Sequence, residues 1–574
     1  MTNSRAVNSA TSDDLGQLML VVGFGLLVLG PLVPNHYPPW ASFHAEAVST
    51  IGFCFLTAVW WQRRGPRDWP REALLPLALA VIPILQAVTG KLFFWGDAWM
   101  AVLFLMLFAL AILVGNGLAR EHGLDRIVKL WSLCVFASAV ISVGIAIEQW
   151  LRLDRLGIYA ADLRPGGRPY ANVGQPNLLA TWLMLGIVGV HLLYQSRRVG
   201  ALGLAFGSAF LAFGMAMTQS RTGWLEMLAF IGTLVMARRG PHLRLSGRGI
   251  FATASMFAAC VVAWPLICDF LLLSPGRDAS AQASGGLRII HWRSLIDALL
   301  EQPWAGYGWN QVSIAQGVGA LRHAATGEVI EHSHNIVLDL LLWNGLPVGA
   351  VVVGAAMWWL GRHSWRCLDP RSALLLGGIT VVLVHAMLEF PLEYTYFLLP
   401  VGLMVGMVST FRSSIGSYQA PRWVSGVLVA TLTGLLVWVA ADYWKIEESS
   451  REMRFQLARI GGQQPVSAAP GVILLTQQRE FWRFASTPAA RDMSRTELDW
   501  MHRISGRYPY APSLYRYAVA AGLNGRPDEA ASALAHLCKV HPKGKCLEAI
   551  AAWSQISSER YPELTEVQLP LSEN

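Results

Sequence analysis

Long apolar runs separated by short polar joints dominate the chain. A membrane-crossing helix needs about 20 mostly apolar residues. Stretches close to that length lie near 16–34, 43–61, 73–90, 97–118, 127–150, 176–195, 200–219, 222–237, 249–272, 335–360, 372–391, 394–411 and 423–443. The pattern predicts an all-α, polytopic membrane protein with about thirteen transmembrane helices. The first run, Leu18 to Val33, is followed by PNHYPPWASFH, which offers no clear small-x-small cleavage site. It is therefore read as a retained first span rather than a signal peptide.

Two segments fall outside this pattern. Residues 273–333 are too polar to span and too long for an ordinary connection. After SPGRDASAQASGG they carry GLRIIHWRSLIDALLEQ, where Ile289, Trp292, Leu295, Ile296 and Leu299 recur at helical spacing. This predicts an amphipathic helix lying on or over the membrane-embedded body, followed by a turn at Gly306, Gly308 and Asn310. Residues 444–574 have a soluble composition. Within them, 511–536 read as helix, Gly-Arg-Pro-Asp turn and helix, like a tetratricopeptide (TPR-like) hairpin. The predicted organisation is 1–272, an N-terminal transmembrane bundle; 273–334, a large loop; 335–443, a C-terminal transmembrane bundle; and 444–574, a helical extramembrane domain.

Composition narrows the class. Hydrophobic residues make up 54% and charged residues 14%, too few charges for a soluble multidomain protein, a disordered chain or a nucleic-acid-binding tail. Basic clusters fall on every second joint, which orients the N-terminus to the cytoplasm and sends 444–574 to the far side. One far-side segment, 151–175, breaks the rule with Arg152, Arg155, Arg164 and Arg168. It reflects either simple tolerance of charge or attraction of an anionic ligand. Five of seven cysteines lie in or beside apolar runs, which excludes a disulfide scaffold. Cys538 and Cys546 are close in sequence on the oxidising side, so a disulfide is expected, with two buried thiols as the alternative.

Polar groups beside spans are costly and so mark candidate sites. They gather at the non-cytoplasmic ends: Asn172, Gln175 and Asn177; Gln219, Ser220 and Arg221; Arg288, His291 and Arg293; Glu331 to Asn335 (EHSHN); and Glu389, Glu393 and Tyr394. Each also has a structural reading. Gln175 or Asn177 suits a helix cap beside Pro176, Arg221 suits snorkelling, and Arg288 suits pairing with an acidic neighbour. His385 and Glu389 suit a structural pair, and Glu226 suits pairing with another helix. EHSHN, with His323 nearby, allows a metal site, a helix-capping histidine or a general base. No second ligand set with metal spacing follows, so no metal and no cofactor is assigned. A histidine at a helix N-terminus is held neutral by the dipole and is able to accept a proton.

Together, GLRIIHWRSLIDALLEQPWAGYGWNQ and EHSHNIVLDLLLWNGLPVG resemble the O-antigen ligase/polymerase superfamily of bacterial membrane glycosyltransferases. YANVGQPNLLATWL and the helical tail look like its PglL-type protein O-oligosaccharyltransferases. One element departs from the family pattern: its Gly-x-x-small reads GLPVG here, shifted by one. The resemblance implies a bacterial inner-membrane enzyme whose loop, tail domain and active site are periplasmic. Its partners would be an undecaprenyl-diphosphate-linked glycan, an acceptor protein such as a pilin and the lipid bilayer, with no nucleic acid. It would move the glycan to a Ser or Thr hydroxyl without a metal. By the same resemblance, His334 is the general base with His332 in reserve, Arg221 and Arg288 hold the diphosphate, and Gln175, Asn177 and Tyr394 line the substrate site. Two alternatives stand beside it: an O-antigen ligase that glycosylates lipid A core, and a polysaccharide transporter or flippase. Transporters usually place polar sites near the midplane, whereas here they sit at span ends.

Overall fold

The computed structural model describes residues 2–62, 65–240, 242–273, 286–365, 369–411, 417–458 and 469–570. The SPGRDASAQASG stretch (274–285) and Arg63, Arg64, Arg366 and Arg412 of the basic clusters lie outside these residues. The protein is a multi-pass, all-α membrane protein. Among the described residues ten helices are long and apolar enough to cross a bilayer. The remaining predicted spans are helices too, but shorter: Arg221–Ala237 and Pro370–Ala386 with 17 residues and Thr395–Ser409 with 15. They stop short for local reasons. Helix Ala201–Thr218 ends at Gln219 in the left-handed region, and the next begins at Ser220, whose hydroxyl caps it. Between Pro370–Ala386 and Thr395–Ser409 the chain leaves the helical path over Met387–Tyr394. The predicted 73–90 span is built from two pieces, Leu74–Leu79 and Val81–Val88. Pro83 there has no N–H to bond the preceding turn.

The chain forms two compact units. The first comprises 1–78, 104–284 and 355–432. Its centre is Pro176–Gln195, in which 89% of the apolar window is buried. A helix apolar on all sides belongs in such a place, and Leu124–Leu151, Ala201–Thr218, Arg221–Ala237 and Pro370–Ala386 surround it. Gly247–Phe270 lies at the other extreme, with only 22% of its window buried, as a lipid-facing helix requires. A two-stranded antiparallel ribbon pairs Arg67–Trp69 with Tyr418–Ala420.

The second unit comprises 79–103, 285–354 and 433–574. The amphipathic segment is a helix, Gly286–Glu301, but its buried face differs from the predicted one. His291, Ser294, Leu295, Ala298 and Leu299 are buried, while Ile289 and Ile296 are about half exposed. Residues 289 and 296 sit on the side opposite the 291–295–298 stripe, and a polar histidine and serine take part in that stripe. The tail is helical: Thr476–Ser486, Arg495–Arg507, Ala511–Leu523, Pro527–Val540 and Lys543–Glu559. Ser494 and Glu497 form a reciprocal capping box at the start of Arg495–Arg507. The predicted hairpin is present as Ala511–Leu523 and Pro527–Val540, which pack on each other across a turn at Gly525. Met501, Ile504, Tyr517, Leu534 and Trp553 lie in its core together with Phe94. Cys538 and Cys546 are joined by a disulfide, as their spacing led us to expect.

Candidate active site

In the first unit, three helix ends meet through their polar side chains. Gln175 occupies the cap position of Pro176–Gln195 in extended conformation, yet its side chain makes no capping bond and is exposed. Asn177 does not cap either. Its Nδ2 donates to Glu389 Oε1 at 3.2 Å, and its Oδ1 accepts from the Ser220 hydroxyl at 2.9 Å. Ser220 Oγ in turn accepts from Gly223 N at 3.3 Å, which places Arg221 as the first residue of its helix. Asn177, Ser220, Arg221 and Glu389 are thereby drawn to one end of the bundle. Tyr394 caps the next helix in sequence, its ring stacked on Phe390 and Tyr396 with centroids 6.1 and 5.3 Å away.

One layer deeper, the Thr181 hydroxyl donates to Glu226, and His385 Nδ1 lies 2.6 Å from the same oxygen. Glu226 and His385 are fully buried and 3.8 Å apart. His385 therefore meets Glu226 and Thr181, and the contact ties three helices together beneath Arg221 and Asn177. Asn172, a sequence candidate, is structural. It is 1% exposed, donates to Leu32 O and Tyr159 O, and accepts from Ala161 N, each at 2.8 Å. Arg168 donates to Thr218 O at 3.2 Å.

The second unit carries Arg288, His291, His332 and His334. Arg288 and His291 lie on Gly286–Glu301. His291 is buried, with Nε2 3.7 Å from Glu328; burial lowers its pKa, against the opposing pull of that carboxylate. In EHSHN the cap is Asn335, not a histidine. Its Oδ1 accepts from Val337 N at 3.0 Å and Leu338 N at 3.2 Å. His334, just outside the helix, is in the left-handed region with φ 57°. Ser333 N donates to Asp339 Oδ1 at 2.8 Å, and the Trp292 indole donates to Ser333 O at 2.8 Å, so the loop is held from two sides. His332 points inward. Its Nδ1 is 3.9 Å from Asp339 Oδ2, and its ring meets Trp343 edge-on. Burial, helped by the Arg507 charge and by electrostatic interaction with His334, lowers its pKa to about 3. His323 is engaged elsewhere, 2.7 Å from Asp297. Among the described residues no three His, Cys, Asp or Glu side chains gather as a metal site would need.

The helix that follows is interrupted in a way that gives the glycine-rich turn its role. Gly345 has φ 77° inside Ile336–Trp365. Into that break dock Pro303 and Tyr307: Leu346 N donates to Pro303 O at 2.7 Å, and Tyr307 N donates to Leu342 O at 2.6 Å. A Cβ on Gly345 would lie 2.4 Å from Trp304 O, and one on Gly306 would lie 2.2 Å from Leu342 O. Close backbone approach thus explains both glycines. Trp309 stacks on Trp343 at 4.5 Å and donates to Asn344 at 2.9 Å.

Sequence reasoning passed over Asp339 and Arg507. Asp339, an acid inside an apolar run, was a usable signal. Arg507, in the soluble tail, gave none. It pairs with buried Asp97, Nη2 to Oδ1 at 3.0 Å and Nε to Oδ2 at 3.3 Å, and its carbonyl accepts from Ser313 Oγ at 3.0 Å. Tyr510 donates to Glu331 at 3.4 Å.

The many long apolar helices define a multi-pass membrane protein. Residues 206–353 match the family model described as O-antigen ligase, and residues 373–555 match that of the virulence factor membrane-bound polymerase, C-terminal. A general O-oligosaccharyltransferase of Acinetobacter baylyi is 29% identical over 552 residues, 92% of this chain and 94% of that one. A ComP-specific O-oligosaccharyltransferase of the same organism is 27% identical over 404 residues, 69% of this chain and 73% of that one. The chain is thus similar along almost its whole length to an O-oligosaccharyltransferase and in part to the O-antigen ligase family, and is an oligosaccharyltransferase.

Proposed function

We propose that the protein transfers an oligosaccharide from undecaprenyl diphosphate to Ser or Thr hydroxyls of periplasmic proteins, pilin-like ones among them, from the bacterial inner membrane. The observation that carries this reading is similarity along almost the whole chain to a general O-oligosaccharyltransferase. In the proposed reaction His334 takes the proton of the acceptor hydroxyl as its oxygen attacks C1 of the glycan. The C1–O bond to the diphosphate breaks, and undecaprenyl diphosphate leaves with the bonding electrons. Arg221 and Arg288 stabilise that anion by charge-assisted hydrogen bonds, so the reaction asks for no metal. Gln175, Asn177 and Tyr394 contact the carrier or glycan.

The local chemistry favours His334 over His332 as base. An imidazole with a pKa of about 3 binds a proton too weakly to draw one from a hydroxyl near neutral pH. Asn335 takes over the capping of the helix, so the cap does not require His334.

Coexpression with a lipid-linked glycan and candidate pilin acceptors, read by mass spectrometry, tests the reading. Glycan on Ser or Thr of the acceptor supports it; glycan on lipid A core alone makes the protein a ligase instead. His334→Ala should keep donor binding nearly intact while abolishing transfer, because the lost interaction belongs to the transition state. His332→Ala should do less. Arg→Ala at 221 or 288 should cost about 3 kcal/mol, roughly a hundredfold in rate, and Arg→Lys should keep part of the activity. Normal glycosylation by both histidine variants would remove the base from this motif.

A further inference from the structure

The first unit also holds a cleft where Leu124–Leu151 ends. Two arginines, Arg152 and Arg164, line it together with Trp150, Leu163, Leu272 and Gly166. Neither Arg221 nor Asn177, Glu389 or Tyr394 is among its lining residues.

The arginines are presented by a built loop. Arg152 takes the left-handed conformation, φ 51°, that closes its helix, and Leu153 N donates back to Glu148 O at 3.2 Å. Arg164 opens a tight turn in which Gly167 N donates to its carbonyl at 2.8 Å. Gln149 clamps the loop from below, donating to Ala161 O at 2.8 Å and Ala171 O at 2.7 Å and accepting from Ala171 N at 2.8 Å. Among the described residues, neither guanidinium forms an ion pair with a carboxylate, and both side chains are exposed. The cleft's other wall is apolar. Trp150 packs on Trp264 at 4.8 Å, and Leu272 in the lining is 94% exposed, two residues beyond Phe270, itself 86% exposed. These residues close the weakly buried, lipid-facing Gly247–Phe270 helix.

Two cations above an apolar wall that runs onto a lipid-facing helix match an amphiphile with a phosphate head. We propose that this cleft binds an acidic phospholipid of the surrounding bilayer, its phosphate between Arg152 and Arg164 and its acyl chains along Phe270 and Leu272. A soluble anion would leave that exposed apolar surface uncovered, whereas a lipid satisfies both halves at once. The site explains why this segment keeps a positive charge that runs against the usual distribution of basic residues. The inference needs only the membrane location of the protein and stands apart from the roles given to His334 and Arg221.

The test uses the full-length protein in nanodiscs of phosphatidylcholine containing a minor share of phosphatidylglycerol, with co-released lipid counted by native mass spectrometry. Wild type should retain phosphatidylglycerol over phosphatidylcholine. Arg152→Asn with Arg164→Gln should lower that preference about tenfold or more, as expected for two lost charge-assisted contacts, with unchanged thermal stability. Asn tolerates the left-handed conformation at 152. Arg152→Lys with Arg164→Lys should keep much of the preference, which separates loss of charge from misfolding. Equal retention of the two lipids by wild type, or an unchanged preference in the Asn/Gln variant, would overturn the proposal. Displacement of phosphatidylglycerol by inorganic phosphate alone would make the cleft a free-anion site. Displacement by a polyprenyl diphosphate at substoichiometric amounts would make it a carrier site. Either result rejects the phospholipid. Glycan transfer by the His334 variants reads the proposed reaction separately.

Discussion

Replacing Arg507 with alanine strands a carboxylate. Asp97 lies 2% exposed near the start of Trp95–His122, and the Arg507 fork reaches both of its oxygens. The guanidinium itself stays charged. Burial alone would lower its pKa, but the Asp97 carboxylate and the Tyr508 and Glu331 oxygens raise it overall. Breaking such a buried pair from one side costs about 3–5 kcal/mol, because an uncompensated charge remains. For a domain of this size each kcal/mol moves the melting midpoint by about 2–4 °C, so Arg507→Ala should lower it by roughly 6–20 °C. The double variant Asp97→Asn with Arg507→Met removes both charges and should recover most of that loss. Melting of the detergent-solubilised full chain, followed by tryptophan fluorescence and by protection from limited proteolysis, measures both. The double-variant cycle should return a coupling above about 1 kcal/mol. A shift under about 2 °C for Arg507→Ala, or purely additive single variants, would refute the view that this pair holds the tail helices to the start of that membrane helix.

The remaining expectations concern the loop and the helix break. Gly345→Ala combines a strained positive φ with a 2.4 Å clash against the Trp304 carbonyl and should cost about 2–5 kcal/mol. Gly354→Ala, where nothing lies within 4 Å of an added Cβ, should be silent in the same melting assay, and equal behaviour of the two would reject the docking role of the turn. His332 adds a pH dependence. Its pKa falls from the ordinary 6.5 to about 3, so between those values the unfolded state binds the proton and the folded state does not. Its contribution to stability is therefore complete above about pH 6.5 and is lost as the pH falls, by about 1.4 kcal/mol per unit. Melts taken from pH 7 to pH 5 should show this slope reduced in His332→Asn; an unchanged slope would place the titration on another group.

Long-range pairing is where sequence reasoning reached its limit. Span positions were legible because a run of apolar residues is a local property, and all of the predicted spans lie on helices. The hairpin 511–536 was legible because its turn and its two amphipathic stretches are adjacent in the chain. The disulfide between Cys538 and Cys546 joins residues only 8 apart. His334 could be singled out because the start of a helix has a local signature, although Asn335 supplies the actual cap. Partnership across helices was not legible. Helical spacing pointed from His385 only to Glu389, whereas His385 also meets Glu226 and Thr181, the latter 204 residues away in sequence. Asp97 and Arg507 lie 410 residues apart, and neither residue type announces the other.

The sequence by itself determined the class of the protein, the rough limits of its apolar helices, and the motifs that resemble a family. Each of these follows from hydrophobic run length, turn residues and short-range spacing. Tertiary structure alone decided which face of Gly286–Glu301 turns inward, where Ile336–Trp365 breaks to admit the glycine-rich turn, and which polar side chains meet at the bundle end. The physical reason is rotational phase. A helix of mostly apolar residues presents several nearly equivalent faces, and the choice among them is made by close packing against segments remote in the chain.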